Sequence, residues 1–139
     1  MARETMHDKD ILDRLPPQNI EAEMAVLGSM LIEDLAIGTA LEILKNKDYF
    51  YRDTHRKIFS AIMNLYSENR AVDLVTLNDQ MAKDGTIDSI EGGAAYLASL
   101  AGSVPTAANV AHYARIVKEK YLLRNLINVS TQIVTDSFD

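Results

Sequence analysis

The sequence predicts an all-α protein: a compact head of about five helices, followed by a long helix that is the first arm of a helical hairpin. Three observations predict it. Apolar residues recur at three- and four-residue spacing along most of the chain, which is the period of an α-helix. Alternation with period two is nearly absent, the short run "AVDLVTL" being the one strand-like candidate. Finally, no Gly or Pro interrupts Ala107 to Phe138. One helix of about 32 residues fits there, roughly 48 Å long against the ~30 Å diameter of a small domain.

Residues 1–14 are polar and aperiodic and read as a flexible N-terminal segment. Residues 15–104 read as the globular helical head, and 105–139 as the long helix, the first half of a truncated hairpin. In "LPPQN" two prolines resist helix, and Asn19 is placed to cap a first helix. Ile20, Met24, Leu27 and Leu31 then recur at helical spacing, while Glu21 and Glu23 suit the positive end of a first turn. A second helix fits Leu35 to Leu44, with Ile37, Ala40, Leu41 and Leu44 inward. "KNKDYFYRD" reads as a loop. Asp53 is a plausible cap for a third helix carrying Ile58, Phe59, Ile62, Leu65 and Tyr66 on one broad face, and "SENRA" ends it. "TLND" (Thr76 to Asp79) has the capping-box pattern for a fourth helix, which stops near Gly85. "GTIDSIEGG" is a loop. Tyr96, Leu97 and Leu100 mark a fifth helix ended by Gly102, and Thr106 is the expected cap of the long helix.

The long helix changes character midway. At 100° per residue, Val110, Tyr113, Ala114, Val117 and Tyr121 cluster on one side. Past Tyr121, Leu122, Leu126, Val129 and Ile133 form one row, and Leu123, Ile127 and Val134 a second beside it. The second cluster lies roughly 180° from the first and spans a face roughly 160° wide. The first half is suited to covering the head. The second half either folds back into the same core after a kink or offers an interface, which an exposed apolar area of this size normally marks.

Composition excludes several classes. The chain has 139 residues, one domain's worth, with a net charge of −6. That balance is poor for gripping nucleic acid over the whole surface. Without cysteine there is no disulfide framework and no thiolate chemistry. The first 14 residues lack the apolar region of a secretory signal, and no apolar run reaches the ~18 residues of a membrane span, so a cytoplasmic chain is expected. No phosphate-cradling loop or H-E-x-x-H spacing occurs. His7, His55 and His112 are scattered, and Asp53 and His55 are two apart, a spacing that does not face on a helix; Asp53 reads as a cap beside a surface His55. Arg115, Lys118, Lys120 and Arg124 make a modest basic stretch, usually a solvated face, alternatively a seat for an acidic partner. Tyr96, Ile127 and Ile133 read first as packing residues.

"LPPQNIEAEMAVLGSML", "FYRDTHRKIFSAI", "VDLVTL" and "GGAAYLASLAGSVPTAANVAHYARIVKEKYLLRNLI" resemble, in order and spacing, the N-terminal domain of bacterial replicative DNA helicases of the DnaB family. The resemblance runs from about Leu15 to the end. It implies a non-catalytic domain, with ATP, Mg and the ATPase motor belonging to a part absent here, and no cofactor in these residues. It implies a helical head with a hairpin, self-association as a dimer or as the trimer-of-dimers collar of a hexameric ring, and docking of the C-terminal region of a DnaG-type primase. A helicase loader is a further implied partner, DNA being met only through the full ring within the nucleoid-associated replication machinery. Carried over by position, primase contacts fall on Tyr96, Ile127 and Ile133; Leu122, Leu123, Leu126, Val129 and Val134, the rest of the wide face, are the candidates for contact with a second copy, and either row of that face can meet either partner. Three rivals remain: a generic helical interaction domain, a weak single-stranded DNA binder using the basic stretch, and a small enzyme with a site assembled from distant residues.

Overall fold

The structure, a computed structural model, describes residues 14–139. It contains α1 (Ile20–Ile32), α2 (Asp34–Ile43), α3 (Asp53–Ser67), α4 (Leu74–Lys83), α5 (Gly93–Ala101) and α6 (Val110–Phe138), with 3-10 turns at Lys47–Tyr49 and Ile87–Ser89. Among the described residues there is no strand. The flexible segment expected over 1–14 lies, apart from Arg14, outside the described residues.

Helix α1 is the centre of the head, packed by α2, α3, α5 and the first half of α6. Asn19 caps it, its Oδ1 accepting the Ala22 N–H at 2.9 Å. The single inward stripe expected on α1 is too narrow: Ile20 and Met24 are only half-buried, whereas Ala22, Glu23 and every residue from Ala25 to Leu31 are buried. A helix surrounded by neighbours buries most of its circumference. Such packing needs a small residue at the tightest crossing, and Gly28 supplies it. A Cβ there would sit 2.2 Å from the Leu100 carbonyl oxygen and 2.6 Å from Ser103 Oγ. The contact is reinforced by Ser103 Oγ, which lies 2.6 Å from the Leu100 carbonyl and 3.3 Å from that of Met24.

Several helix starts differ from expectation. "VDLVTL" is no strand: Asp73 and Thr76 close a capping box and α4 begins at Leu74. The box therefore sits three residues ahead of "TLND", because Asp73 Oδ1 accepts the Thr76 N–H while Thr76 Oγ1 accepts that of Asp73. Asp53 is the first residue of α3 rather than its cap; Arg52 holds the cap position without a side-chain bond. Thr106 caps only a turn, accepting the Ala108 N–H, and α6 begins at Val110, giving 29 residues and roughly 44 Å. The C-termini close by bonds that use the left-handed region. After α3, Asn69 at φ 56° lets Arg70 N–H reach the Leu65 carbonyl, and after α4 Gly85 at φ 72° lets Thr86 N–H reach that of Met81.

The core gathers Leu27, Met30, Ile37, Phe50, Phe59, Ile62, Leu77, Met81, Leu97 and Leu100 from five helices and one loop, with Val110, Ala114 and Val117 of α6 closing it. Tyr66, expected inward on α3, is 43% exposed, because it lies at the helix end, where the chain turns away through Asn69.

Gly28→Ala is expected to lower stability by at least about 1–3 kcal/mol, since backbone must move to admit the methyl group. Gly38→Ala, where a Cβ meets nothing nearer than Tyr66 Oη at 3.5 Å, is expected to be neutral or to stabilise by up to about 1 kcal/mol. Urea midpoints of the two variants against wild type check both.

Candidate protein-docking surface

Glu23 lies in the first turn of α1, where an acid suits the positive end of the helix. It is 1% exposed, on the buried side of α1. An ionised carboxylate there can only accept hydrogen bonds and must be surrounded by donors. Its Oε2 accepts the Tyr51 N–H at 2.7 Å, and its Oε1 the more distant Arg52 N–H at 3.4 Å. The same Oε1 lies 2.7 Å from His55 Nδ1. His55, read as a surface residue beside Asp53, is fully buried. Asp53 instead turns outward to Lys57 at 3.1 Å and Arg56 at 3.5 Å; the Lys57 hydrogen bond, foremost, holds the Asp53 carboxyl below its ordinary pKa. Facing a carboxylate, His55 Nδ1 carries the proton, which in the neutral ring leaves Nε2 to accept from the Tyr96 hydroxyl at 2.5 Å.

Tyr96 of α5 is half-buried. Its ring stacks on His55 at 5.9 Å between centroids. Gly92, in the left-handed region at φ 86°, starts α5 directly beneath it. A cavity of about 310 Å3 opens beside the ring, lined also by Arg52, Thr54, Glu91 and Gly92. Arg52 Nη1 approaches the Tyr96 hydroxyl at 3.5 Å. The acid–imidazole–hydroxyl chain thus fixes a phenol at the rim of a shallow depression. An anchored aromatic ring with a polar tip is well suited to protein contact. A second groove, about 530 Å3 between α4 and α5, is lined by Leu74, Val75, Ala82, Ala94, Leu97 and Ala98, with Asn78 and Asp79 its polar members.

The change of sides along α6 is present in the structure. Val110, Ala114 and Val117 are buried against the head, whereas Leu122, Leu123, Leu126, Ile127, Val129, Ile133 and Val134 are all exposed, Leu126 reaching 62% and Ile133 61%. The helix runs unbroken through Phe138, and its second half, exposed along its length, does not return to the core. Ile127 and Ile133 therefore stand on a free arm while Tyr96 sits on the head. Among the described residues no hydrogen bond or ring contact joins Tyr96 to α6.

Two functional positions were missed by the sequence reading. Glu23 carried a signal: it lies three, four and seven residues before Val26, Leu27 and Met30, on an apolar stripe where a carboxylate needs partners. Arg124, read as part of a basic face, turns back to the head. Its Nη1 donates to the Pro17 carbonyl and its Nη2 to that of Tyr49, both at 2.9 Å. Its guanidinium lies 5.5 Å from the Tyr51 ring centroid and 5.9 Å from that of Tyr121. Partial burial lowers its pKa from the ordinary value, opposed by the Glu23 charge; a guanidinium stays charged regardless. Arg115 and Lys118 remain exposed on the outer side of the helix.

A head-and-arm domain, with six helices among the described residues and an exposed apolar arm, is the class these features define. The chain belongs to the DnaB-like helicase N-terminal domain family, whose family model matches residues 15–119. It is 47% identical over 126 residues to the replicative DNA helicase DnaC of Bacillus subtilis (strain 168), covering 91% of this chain and 27% of that protein. It is 48% identical over 126 residues to the replicative DNA helicase DnaB of Geobacillus stearothermophilus, with the same coverage. The chain thus spans about a quarter of the length of these curated relatives. The crystal structure of the N-terminal domain of DnaB helicase from Mycobacterium tuberculosis is similar with a TM-score of 0.85 at 42% identity, covering 89% of this chain and 85% of that one.

Removing the buried acid tests the network. Glu23→Ala strips the acceptor from two backbone N–H groups and His55 Nδ1, and is expected to cost about 1–3 kcal/mol for each donor left buried and unpaired. The loss is read from urea unfolding; in the folded fraction, a downfield-shifted imidazole Nδ1 proton signal should disappear.

Proposed function

We propose that this chain is a non-catalytic assembly and docking domain of a replicative DNA helicase. Copies associate through the second half of α6, and the C-terminal region of a DnaG-type primase docks on a surface that includes Tyr96, Ile127 and Ile133. The observation that carries the reading is the arm: seven large apolar side chains exposed on one unbroken helix, on the side opposite the head. An area of that kind normally marks an interface, and a stable one buries about 1,600 Å2 in total. Family membership supplies the direction. Relatives of this domain carry the name replicative DNA helicase, and primase docking and collar assembly are what the DnaB resemblance implies. The Leu122, Leu126 and Val129 row and its neighbours Leu123 and Val134 are assigned to the second copy. ATP-dependent strand separation belongs in this reading to a motor outside these residues, and a helicase loader is a further partner. No helix among the described residues is long and apolar enough to cross a membrane. Work alongside the cytoplasmic replication machinery is part of this proposal and rests on the family.

Self-association is expected to rise with concentration in light scattering coupled to size exclusion, and Leu126→Asp is expected to abolish it. A strict monomer at high concentration overturns the assembly claim. Tyr96→Ala, Ile127→Ala and Ile133→Ala are each expected to weaken binding of the primase C-terminal region by about 1–2 kcal/mol or more. If all three fold and bind normally, the primase site lies elsewhere.

A further inference from the structure

We infer that Arg124 is a positioning residue, a latch at the neck of α6 that holds the arm at one angle to the head, so that the arm's apolar rows are presented to a second copy of this chain in a fixed direction. The docking half of this inference rests on the function proposed above; the latch itself does not.

At 100° per residue Arg124 falls on the head-facing stripe, within roughly 20° of Val117 and 60° of Tyr121. A charge replaces a hydrophobe there because the head presents carbonyl oxygens at that height. Two separate segments supply them, Pro17 ahead of α1 and Tyr49 in the loop before α3. A planar guanidinium spans two such acceptors at once, and a single ammonium does not reproduce that fork. Pro17 follows Pro16, so one anchor is a stiff stretch of backbone. The second is braced by stacking of Tyr49 on Tyr121 at 4.1 Å. The next position on the stripe, Asn128, is exposed, so the direction of the arm is set at the neck.

The neck shares its anchor with the Tyr96 site. The Tyr51 ring lies against Arg124 while the Tyr51 N–H is held by Glu23, and Glu23 holds the His55 that binds Tyr96. One short loop therefore fixes both the neck and the Tyr96 site. A second copy meeting the arm finds it already oriented, which removes an ordering cost from binding.

The test is a distance measurement in the full chain. The sequence has no cysteine, so nitroxide labels at Ala82→Cys on the head and Thr135→Cys on the polar side of the arm report the head–arm distance by pulsed electron resonance. Arg124→Ala and Arg124→Lys are expected to widen the distance distribution roughly twofold or more, with Asn128→Ala as the control that leaves it narrow. Circular dichroism confirms folding, and Arg124→Lys serves if the alanine variant fails to fold. The same variants are expected to weaken self-association roughly tenfold. An unchanged width overturns the latch. A widened distribution with wild-type self-association overturns its role in docking. A wild-type chain that never associates sinks the proposed function instead, and the width alone then decides the latch.

Discussion

A carboxylate at the centre of a helical head tolerates no loose arrangement around it. Glu23 sits on the most enclosed helix, where moving an unpartnered ionised group from water costs several kcal/mol. The head meets that cost with fixed donors: the N–H groups of Tyr51 and Arg52 and the imidazole of His55. Each donor belongs to a segment with its own task. The loop before α3 must approach α1 closely, α3 must turn His55 inward, and α5 must bring Tyr96 over the ring. No buried side-chain nitrogen or oxygen among the described residues lacks a partner. Such a fully satisfied network specifies one arrangement more sharply than apolar packing alone.

The arm depends on that arrangement at one remove. The loop pinned by Glu23 also offers the Tyr49 carbonyl and the Tyr51 ring to Arg124. The helix leaves the head past Arg124, within one turn of the point where its apolar side reverses. A helix that served one core would keep a single stripe along its length. Here the stripe of Val110, Ala114 and Val117 closes the head, and the rows starting at Leu122 face outward. The same rod thus completes one hydrophobic core and leaves a second apolar face exposed.

Much of this was readable in one dimension. The helical period, the Asn19 cap and the reversal at Tyr121–Leu122 are local or nearly local properties, and the structure reproduces them. Start positions were less legible. "VDLVTL" alternates like a strand, yet Asp73 and Thr76 satisfy each other's N–H groups and nucleate a helix. Asp53 is well placed to cap but points at Lys57 instead. The site divided along the same line. Exposure of Ile127 and Ile133 follows from the wheel, whereas the support of Tyr96 does not. Its partners lie 41 residues away at His55, and the acid behind them another 32 away at Glu23.

By itself, then, the sequence determined an all-α head, a helix too long for it, and the point where that helix changes faces. These follow from backbone propensity and side-chain period, which act over a few residues. Only the tertiary structure decided that Glu23, His55 and Tyr96 form one chain of hydrogen bonds and that Arg124 is a tether rather than part of a solvated basic face. The physical reason is that a polar side chain's role is set by whichever donors and acceptors surround it. In this head those come from segments far apart in sequence, assembled only once the core has closed.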